Sequence, residues 1–292
     1  MAFTLPQLLS ILDLEELEVN IFRGQNRDIG SGRVFGGQVL AQALVAAGRT
    51  VDADRTAHSL HSYFILPGDL AAPIVYFVER LRDGRSFTTR RVTAIQHGQA
   101  IFEMLASFHS AESGISHQDA MPSVPPPEDV ARDLDRLRAA AERVPESHRV
   151  YFTQERPLDV RTVDPTDPFQ PERRPPRRCV WFRASETLTG DGALPHQSLL
   201  AYASDYTILG TALLPHGLAF GPALQAATLD HAIWFHRPFR ADEWLLYVTD
   251  SPSAEGALAF ARGSVFTRDG RLVASVTQEG LLRVREEKPS ST

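Results

Sequence analysis

The chain has 292 residues, of which 43% are apolar and 23% charged, and its net charge is −6 at pH 7. These proportions are typical of a soluble globular protein with one large or two ordinary domains. The negative charge gives no electrostatic footprint for nucleic acid or anionic lipid, so we expect neither as a partner.

The cysteine content and the first residues narrow the setting. The single cysteine, Cys179, excludes an intramolecular disulfide and a cysteine-based zinc site. The first residues lack the basic region and cleavage site of a signal peptide and predict a short amphipathic helix instead. The most apolar stretch, residues 198–214, is shorter than the roughly 20 residues that a bilayer requires. We therefore expect a cytoplasmic protein without a membrane span.

The first half of the chain predicts a buried helix followed by four strands. Residues 34–48 (VFGGQVLAQALVAAG) are apolar on almost every face, which indicates a helix enclosed by the fold. A short strand near residues 19–23 precedes this helix. The strand-like runs that follow cover residues 58–66, 73–81, 87–95 and 100–108, with turn signals at Asp83-Gly84 and His97-Gly98.

The middle of the chain has a different character. Residues 111–177 contain many prolines and little hydrophobic periodicity. Within them, residues 128–144 predict a charged amphipathic helix with acids at its N-terminal end. Residues 156–176 predict an extended loop that is rich in proline and arginine. We interpret the whole segment as a long connection.

The second half repeats the order of the first. A strand at residues 178–184 precedes a second all-round apolar helix, residues 198–214 (SLLAYASDYTILGTALL), with Asp205 in its middle. Burying an unpaired carboxylate is costly, so Asp205 needs either a hydrogen-bond partner, such as Thr207, or a function. Further strands are predicted at residues 225–236, 243–249, 258–266 and 272–284.

Landmarks in the two halves correspond at a spacing of 171 or 172 residues. Phe64 and Pro67 correspond to Phe235 and Pro238, 171 residues later, and Gly98 and Ile101 correspond to Gly270 and Val273, 172 residues later. Self-similarity of this length indicates a duplicated domain. A buried helix followed by four antiparallel strands is satisfied when the sheet curls around the helix and the two copies join edge to edge. The sequence thus predicts an α+β double hot-dog fold. The first repeat is assigned to residues 1–110, the connection to 111–177, the second repeat to 178–285 and a flexible tail to 286–292.

Several familiar catalytic motifs are missing from the chain. It has no G-x-S-x-G elbow, no Walker loop and no dinucleotide-binding glycine motif. His58 and His61 diverge on their predicted strand and make a poor metal pair. The same holds for His231 and His236, so we expect structural histidines and no metal site. Asp230 and His231 face opposite ways as strand neighbours, which leaves a Ser-His-Asp hydrolase open but unsupported.

Three polar residues of the second half remain candidates for chemistry: Asp205, Thr228 and Gln278. Thr228 and Gln278 lie on predicted strands where the first repeat has Ala57 and Ala106. Taken singly, Thr228 is an ordinary strand former and Gln278 a solvent-facing residue. Because the strands of a hot-dog sheet surround its helix, however, the fold could bring the three side chains to one point. An ionised Asp with Thr and Gln can then hold one water, whose proton the Asp takes as general base.

Seven segments, in order along about 250 residues, match the pattern of one known family. They are VFGGQVLAQAL from Val34, HSLHSYFILPGD from His58, DGRSFTTRRV from Asp83, RPLDVR from Arg156, YASD from Tyr202, ATLDHAIWFHRPFRADEWLLY from Ala227 and LVASVTQEGLLR from Leu272. The chain resembles the acyl-CoA thioesterase II (TesB-like) family, which is similar in having a double hot-dog fold.

The resemblance implies the hydrolysis of acyl-CoA thioesters to free acid and CoA, without a metal or an organic cofactor. The family's catalytic Asp, Thr and Gln fall on Asp205, Thr228 and Gln278. We therefore expect these residues to activate a water for attack on a medium- or long-chain fatty acyl-CoA.

The sequence offers several candidates for substrate binding. Gly36 and Gly37 begin the first buried helix, whose free N–H groups could stabilise an oxyanion. These glycines could equally serve close packing. Trp234 and Phe235 are candidates to line a slot for the acyl chain. For the CoA phosphates the available basic residues are Arg90, Arg91, Arg177 and Arg178, and the sequence favours none of them.

Two other functions stay open at this stage. A non-catalytic acyl-CoA-binding protein could use the same fold. A hot-dog dehydratase would need a histidine beside the acid, for which His231 is the candidate. The fold also leaves surfaces that commonly self-associate, so we predict a homo-oligomer, either a dimer or a tetramer.

Overall fold

The computed structural model describes residues 3–30, 32–144 and 146–285, and the predicted tail at 286–292 lies outside the described residues. The described part is an α+β fold built on a 13-stranded sheet, and none of its helices is long and apolar enough to cross a membrane. The helices are α1 (Leu5–Leu12), α2 (Gly36–Gly48), α3 (Asp133–Ala139), α4 (Glu146–Thr153) and α5 (Ala193–Ser204). The strands are β1 (Glu15–Glu18), β2 (Ile21–Gly24), β3 (Arg55–Phe64), β4 (Ile74–Asp83), β5 (Phe87–Gln96), β6 (Gln99–Ser110), β7 (Leu158–Val163), β8 (Arg177–Ala184), β9 (Leu224–Thr228), β10 (Asp230–Phe235), β11 (Leu245–Glu255), β12 (Leu258–Thr267) and β13 (Leu272–Val284).

The sheet consists of two similar halves that meet at one pair of strands. The strand order is β1-β2-β4-β5-β6-β3 in the first half and β10-β13-β12-β11-β8-β7 in the second, with β9 added beside β13. Strands β3 and β10 pair antiparallel across the junction, with Leu60 opposite Ile233. The predicted double hot-dog fold, with two repeats joined edge to edge, is confirmed.

The hairpin between β5 and β6 shows how local sequence sets the register. Its two turn residues, His97 and Gly98, have φ angles of 50° and 73°. A two-residue turn with positive φ at both positions matches the right-handed twist of the strands that it joins. The turn predicted at His97-Gly98 is confirmed.

Helices α2 and α5 form the centre of the molecule. Eleven of the 13 residues of α2 and nine of the 12 residues of α5 are buried, which is why both segments are apolar on nearly every face. The two helices pack against each other, and α2 also packs against strands β2 to β6. Their contact is close because Gly37 has no side chain: a Cβ added there would lie 2.5 Å from the backbone carbonyl oxygen of Tyr202.

The helix predicted over residues 198–214 is wrong in its extent. Helix α5 begins earlier, at Ala193, and ends at Ser204, and a 3₁₀ helix follows at Leu209–His216. The residues that follow include Thr207 and Gly210, which form α-helices poorly. Asp205 is therefore the C-cap residue of α5 and does not project from the middle of a helix.

The segment between the repeats contains more regular structure than we predicted from its sequence. The single helix over residues 128–144 is wrong, since 3₁₀ turns at Pro127–Asp129 and Ala141–Arg143 flank the short helix α3. Helix α4 and strand β7 follow. Strand β7 pairs with β8 at the sheet edge, as β1 pairs with β2 at the other edge. The boundaries of the repeats stay a prediction.

The strand predicted over residues 225–236 is interrupted at Leu229. Strand β9 pairs with β13, with Thr228 opposite Gly280. After Leu229, strand β10 pairs with both β13 and β3. The interruption lets the end of β9 and the start of β10 present Thr228 and His231 to the interior beside α5.

The close contact between α2 and α5 leads to a stability prediction. Gly37→Ala places a methyl group against Tyr202, and overpacking of this kind typically costs about 1–3 kcal/mol. Thermal and urea unfolding measure the loss. Gly114→Ala is the matched control because an added Cβ there meets no atom within 4 Å. Equal stability of the two variants would show that the helices do not depend on this contact.

The buried His196 leads to a prediction about pH. Its Nδ1 accepts a hydrogen bond from the backbone N–H of Ala241 over 3.1 Å, and burial lowers its pKa from the usual 6.5. The unfolded chain therefore takes up a proton at a higher pH than the folded chain does. The stabilisation is fully present above about pH 6.5 and is lost as the pH falls toward the lower folded pKa.

Urea unfolding between about pH 7.5 and about pH 5 measures this loss. His196→Asn keeps an acceptor near the Ala241 N–H but does not titrate, so its free energy of unfolding should fall less steeply on acidification. His117→Gln, in an exposed loop, should retain the wild-type slope. If the free energy of unfolding of His196→Asn fell as steeply with pH as that of the wild type, His196 would not be the cause of this loss of stability.

Candidate active site

Asp205 closes α5 and lies beside the first turn of α2. As the C-cap residue it donates its backbone N–H to the carbonyl of Ala203. Its Oδ2 approaches Gly36 so closely that an added Cβ there would lie 2.7 Å away. The N-terminus of a helix carries unbonded N–H groups and a partial positive charge. The carboxylate of Asp205 thus faces the positive end of α2.

Thr228 and Gln278 reach Asp205 from the sheet. The Thr228 hydroxyl donates a hydrogen bond to Asp205 Oδ1 over 3.2 Å. The Gln278 amide donates from Nε2 to Thr228 Oγ1 over 2.9 Å. Gln278 is completely buried, whereas Asp205 and Thr228 are half-buried. The three residues singled out from the sequence form one connected group.

A fourth residue, His231, extends this group into the interior. Its Nδ1 lies 2.7 Å from Gln278 Oε1 and its Nε2 lies 2.9 Å from Ser204 Oγ. The sequence interpretation missed this contact. The alternation of side chains along β10 indicates the inward position of His231, because His231 shares its face of the strand with the buried Ile233 and Phe235.

Burial controls the protonation of the groups around Asp205. Desolvation lowers the pKa of His231, and the negative charge of Asp205 opposes this shift. Burial also raises the pKa of Tyr202 and of Tyr247, and the charge of Asp205 adds to both increases. At neutral pH the carboxylate is therefore surrounded by a neutral imidazole and neutral phenols.

A small cavity of about 30 Å³ opens next to the end of α5. Tyr202 and Tyr206, on either side of Asp205 in the sequence, form one wall. Phe35 packs edge-on against both, with ring centroids 5.1 and 6.1 Å apart. The remaining lining residues are Phe3, Ile29, Gln154, Arg156, Pro157, Leu158 and Val160. The lining is mostly apolar with a few polar groups, a composition that is typical of sites for small organic ligands.

Arg156 is the cationic group in the wall of this cavity. Its guanidinium lies 5.5 Å from the ring centroid of Tyr206. Burial lowers its pKa, although an arginine stays protonated at any working pH. Within the part of the chain that the structure describes, no carboxylate forms a hydrogen bond or ion pair with Arg156. Arg156 begins the family segment RPLDVR, but the sequence predicted no separate role for it.

The four arginines that the sequence suggested for the CoA phosphates do not line this cavity. Arg90 is 1% exposed and bonds Thr50 and Asp83, so it is a structural residue that a ligand does not reach. Arg91 forms an exposed ion pair with Glu79. Arg177 is exposed on β8, and Arg178 is half-buried beside Gly210.

Gly36 and Gly37 have different surroundings. A side chain at Gly36 would meet the Asp205 carboxylate and the ring of Phe64, so Gly36 borders the candidate site. A side chain at Gly37 would meet Phe35 and the backbone of Tyr202, so this glycine serves close packing. The two interpretations left open by the sequence thus apply to one glycine each.

Trp234 and Phe235 do not join the group around Asp205. Trp234 points away from the core and stacks edge-on against His61, with ring centroids 5.0 Å apart. Phe235 points the other way and is buried in the main core. Adjacent strand residues face opposite sides, and neither of these two lines the cavity beside Asp205.

His58 and His236 have structural partners. His58 bonds Ser107 over 2.8 Å and His236 bonds Ser275 over 2.9 Å. Among the described residues, no three His, Cys, Asp or Glu side chains cluster as metal ligands.

A Ser-His-Asp relay does not form around His231. The carboxylate of Asp230 accepts from the backbone N–H of Glu279 over 2.6 Å and does not orient His231. The nearby Ser204 is 1% exposed, so its hydroxyl is closed off from a substrate.

Known proteins match this chain along almost its whole length. A family model for acyl-CoA thioesterase matches residues 147–281, and a model for the acyl-CoA thioesterase N-terminal domain matches residues 25–109. Acyl-CoA thioesterase 2 of Haemophilus influenzae is 42% identical over 98% of this chain and 100% of its own length. Human acyl-coenzyme A thioesterase 8 is 41% identical over 97% of this chain and 90% of its own.

Solved structures show the same relationship. Acyl-CoA thioesterase II TesB2 of Mycobacterium marinum matches with a TM-score of 0.78 and 47% identity, covering 96% of this chain and 99% of that one. A hot-dog protein from Alicyclobacillus acidocaldarius is 22% identical with a TM-score of 0.76, covering 96% and 98%, and shows likeness of fold alone. The resemblance found in the sequence is confirmed, and this chain belongs to the acyl-CoA thioesterase family.

Proposed function

We propose that this chain hydrolyses medium- or long-chain fatty acyl-CoA to free acid and CoA, with Asp205 as the general base. The observation that carries the proposal is the hydrogen-bonded group of Asp205, Thr228 and Gln278 beside the free N-terminus of α2. It combines a proton acceptor, a means of holding water and N–H donors for an oxyanion in one place.

The donors and acceptors of the group fit a single bound water. Gln278 Nε2 carries two hydrogens, and its bond to Thr228 uses one of them. The second hydrogen can orient a buried water between Gln278 and Asp205. Asp205 accepts from Thr228 at Oδ1, which leaves Oδ2, on the side of Gly36, to accept a proton from that water.

The reaction follows from these positions. The water oxygen attacks the thioester carbonyl carbon while Asp205 takes a proton from the water. The carbonyl oxygen becomes an oxyanion beside the N–H group of Gly36, where the dipole of α2 stabilises it. The carbon–sulfur bond then breaks, and the proton held by Asp205 passes to the departing thiolate of CoA.

The cavity beside Asp205 is suited to part of the substrate. Tyr202 and Tyr206 connect its wall to the carboxylate, and its apolar lining suits a slender chain. Arg156, which lacks a carboxylate partner among the described residues, can donate to an oxygen of the substrate. We propose this cavity, in place of Trp234 and Phe235, as the substrate slot.

The surroundings of His231 favour hydrolysis over dehydration. A hot-dog dehydratase needs a histidine exposed to its substrate, but His231 is completely buried and both of its ring nitrogens are engaged. A non-catalytic binding protein is the alternative that the activity assay addresses. A cytoplasmic location and a dimeric or tetrameric assembly stay predictions.

Substitution of the general base tests the function directly. Asp205→Asn keeps the shape of the side chain but does not accept a proton, so kcat should fall by about 10²–10⁴-fold. Gln278→Ala removes a donor, and kcat should fall by about 10²–10³-fold. A thiol-reactive dye measures CoA release from saturated acyl-CoAs of increasing chain length.

Asp250→Asn is the matched control, because Asp250 forms a surface ion pair with Arg262, and it should retain wild-type turnover. Wild-type turnover in both Asp205→Asn and Gln278→Ala would show that the site is misassigned. Tight binding of acyl-CoA by the wild type, with no CoA released over hours, would support the binding protein instead.

The space beside Gly36 gives a second test. Gly36→Ala puts a methyl group against Asp205 Oδ2, which displaces the carboxylate from the first turn of α2. Misplacement of a reacting group by 1 Å can cost about 10²-fold, so kcat/KM should fall by that order. Gly114→Ala should keep full activity. Unimpaired hydrolysis in a folded Gly36→Ala protein would contradict the proposed position of the reacting carbonyl.

A further inference from the structure

The bonds of Ser204, His231, Gln278, Thr228 and Asp205 form one continuous chain. It runs from the last residue of α5 through the sheet and back to the C-cap of the same helix. His231 is the second of the five residues and is 0% exposed. The side chain of Gln278 contacts the catalytic group through one end of its amide and His231 through the other.

The donor at each step follows from the chemistry of the groups. An amide oxygen only accepts, so the proton between His231 and Gln278 belongs to Nδ1 of the imidazole. A neutral imidazole protonated at Nδ1 has an unprotonated Nε2, which faces the Ser204 hydroxyl, and the single proton of this hydroxyl has both Nε2 and the Ala201 carbonyl as acceptors. From His231 onward every donor in the chain therefore points toward Asp205, and such an aligned series strengthens each of its bonds.

The opposite orientation of the Gln278 amide would break this order. With its oxygen turned toward Thr228, the amide would accept the single hydroxyl proton of Thr228. Asp205 would then lose its hydrogen bond from Thr228, and no N–H of Gln278 would face the water. With its proton on Nδ1, His231 requires an acceptor at the position of Gln278 Oε1, whereas the opposite orientation would place an N–H there.

We propose that His231 is a positioning residue, which fixes the Gln278 amide and thereby directs the Thr228 hydroxyl onto Asp205. This role rests on the proposed hydrolysis and adds a residue to it. His231 acts through Gln278 and does not touch the reacting atoms. Its substitution should therefore lower kcat and leave KM nearly unchanged, because the substrate cavity is formed by other residues.

Two isosteric variants separate the two ends of the imidazole. His231→Asn places an amide donor near the position of Nδ1 and keeps the bond to Gln278. His231→Gln places its amide near Nε2, which keeps a partner for Ser204 but leaves Gln278 Oε1 without a donor. Loss of an outer partner of a functional residue typically lowers activity by about 10–100-fold, which we expect for kcat of His231→Gln. His231→Asn should stay within a few-fold of the wild type.

A double substitution distinguishes positioning from a general structural role. In a Gln278→Ala background there is no amide to orient, so adding His231→Gln should lower kcat no further. An additional 10–100-fold loss in the double variant would show that His231 acts independently of Gln278. Equal kcat values for His231→Asn and His231→Gln would also overturn the proposal. A wild-type protein that releases no CoA would instead reject the proposed function.

The tautomer of His231 provides a readout that does not depend on activity. In ¹⁵N-histidine-labelled protein, the resonances that disappear in His231→Asn belong to His231. We expect a protonated Nδ1 and an unprotonated Nε2, unlike the Nε2-protonated form that is usual for free histidine. A protonated Nε2 with a bare Nδ1 would overturn the proposal, since that tautomer does not donate to Gln278.

Discussion

The contact between the first turn of α2 and the end of α5 is the constraint on which the candidate site depends. A helix C-terminus carries partial negative charge, so a carboxylate at the C-cap of α5 is unfavourable on its own. The N-terminus of α2 offsets this because Gly36 admits Asp205 Oδ2 to close range. Gly37, packed on the Tyr202 carbonyl, permits the approach of the two helices. The packing that builds the core thus also holds the carboxylate.

The two halves of the duplicated fold contribute different parts of the candidate site. The first half supplies the N-terminus of α2, and the second supplies Asp205 together with its hydrogen-bonded partners. In the first half the C-cap of α2 is Arg49, which bonds the Leu14 carbonyl over 2.5 Å, and the completely buried Arg90 bonds Thr50 nearby. The two halves of the sheet therefore share one architecture, but the residues at the ends of their central helices differ.

The sequence predicted the architecture because the fold follows from hydrophobic periodicity and turns. It singled out Asp205 as a functional candidate because it is an acid in an apolar segment, but placed it inside a helix. Its position at a helix end depends on where α5 stops, which weak propensities at Thr207 and Gly210 decide together with tertiary packing. Strand β7 was missed because charged residues on its outer side, such as Asp159 and Arg161, conceal its alternation.

The hydrogen-bond chain could be anticipated only in part. The inward face of β10 was readable from Ile233 and Phe235, and it would have placed His231 in the core. Its pairing with Gln278, by contrast, depends on the register of β10 with β13 and on the interruption at Leu229. Arg156 likewise reaches the cavity through the pairing of β7 with β8, which no local pattern in the sequence specifies.

We propose that a water activated by Asp205 attacks the thioester directly. A single turnover in ¹⁸O-labelled water, with enzyme in excess over acyl-CoA, tests it when the released acid and the peptide containing Asp205 are both analysed by mass spectrometry. Direct attack predicts one ¹⁸O atom in the acid and none in the peptide. Appearance of ¹⁸O in the Asp205 carboxylate would contradict direct attack by water, because it would show that the aspartate had attacked the carbonyl as a nucleophile.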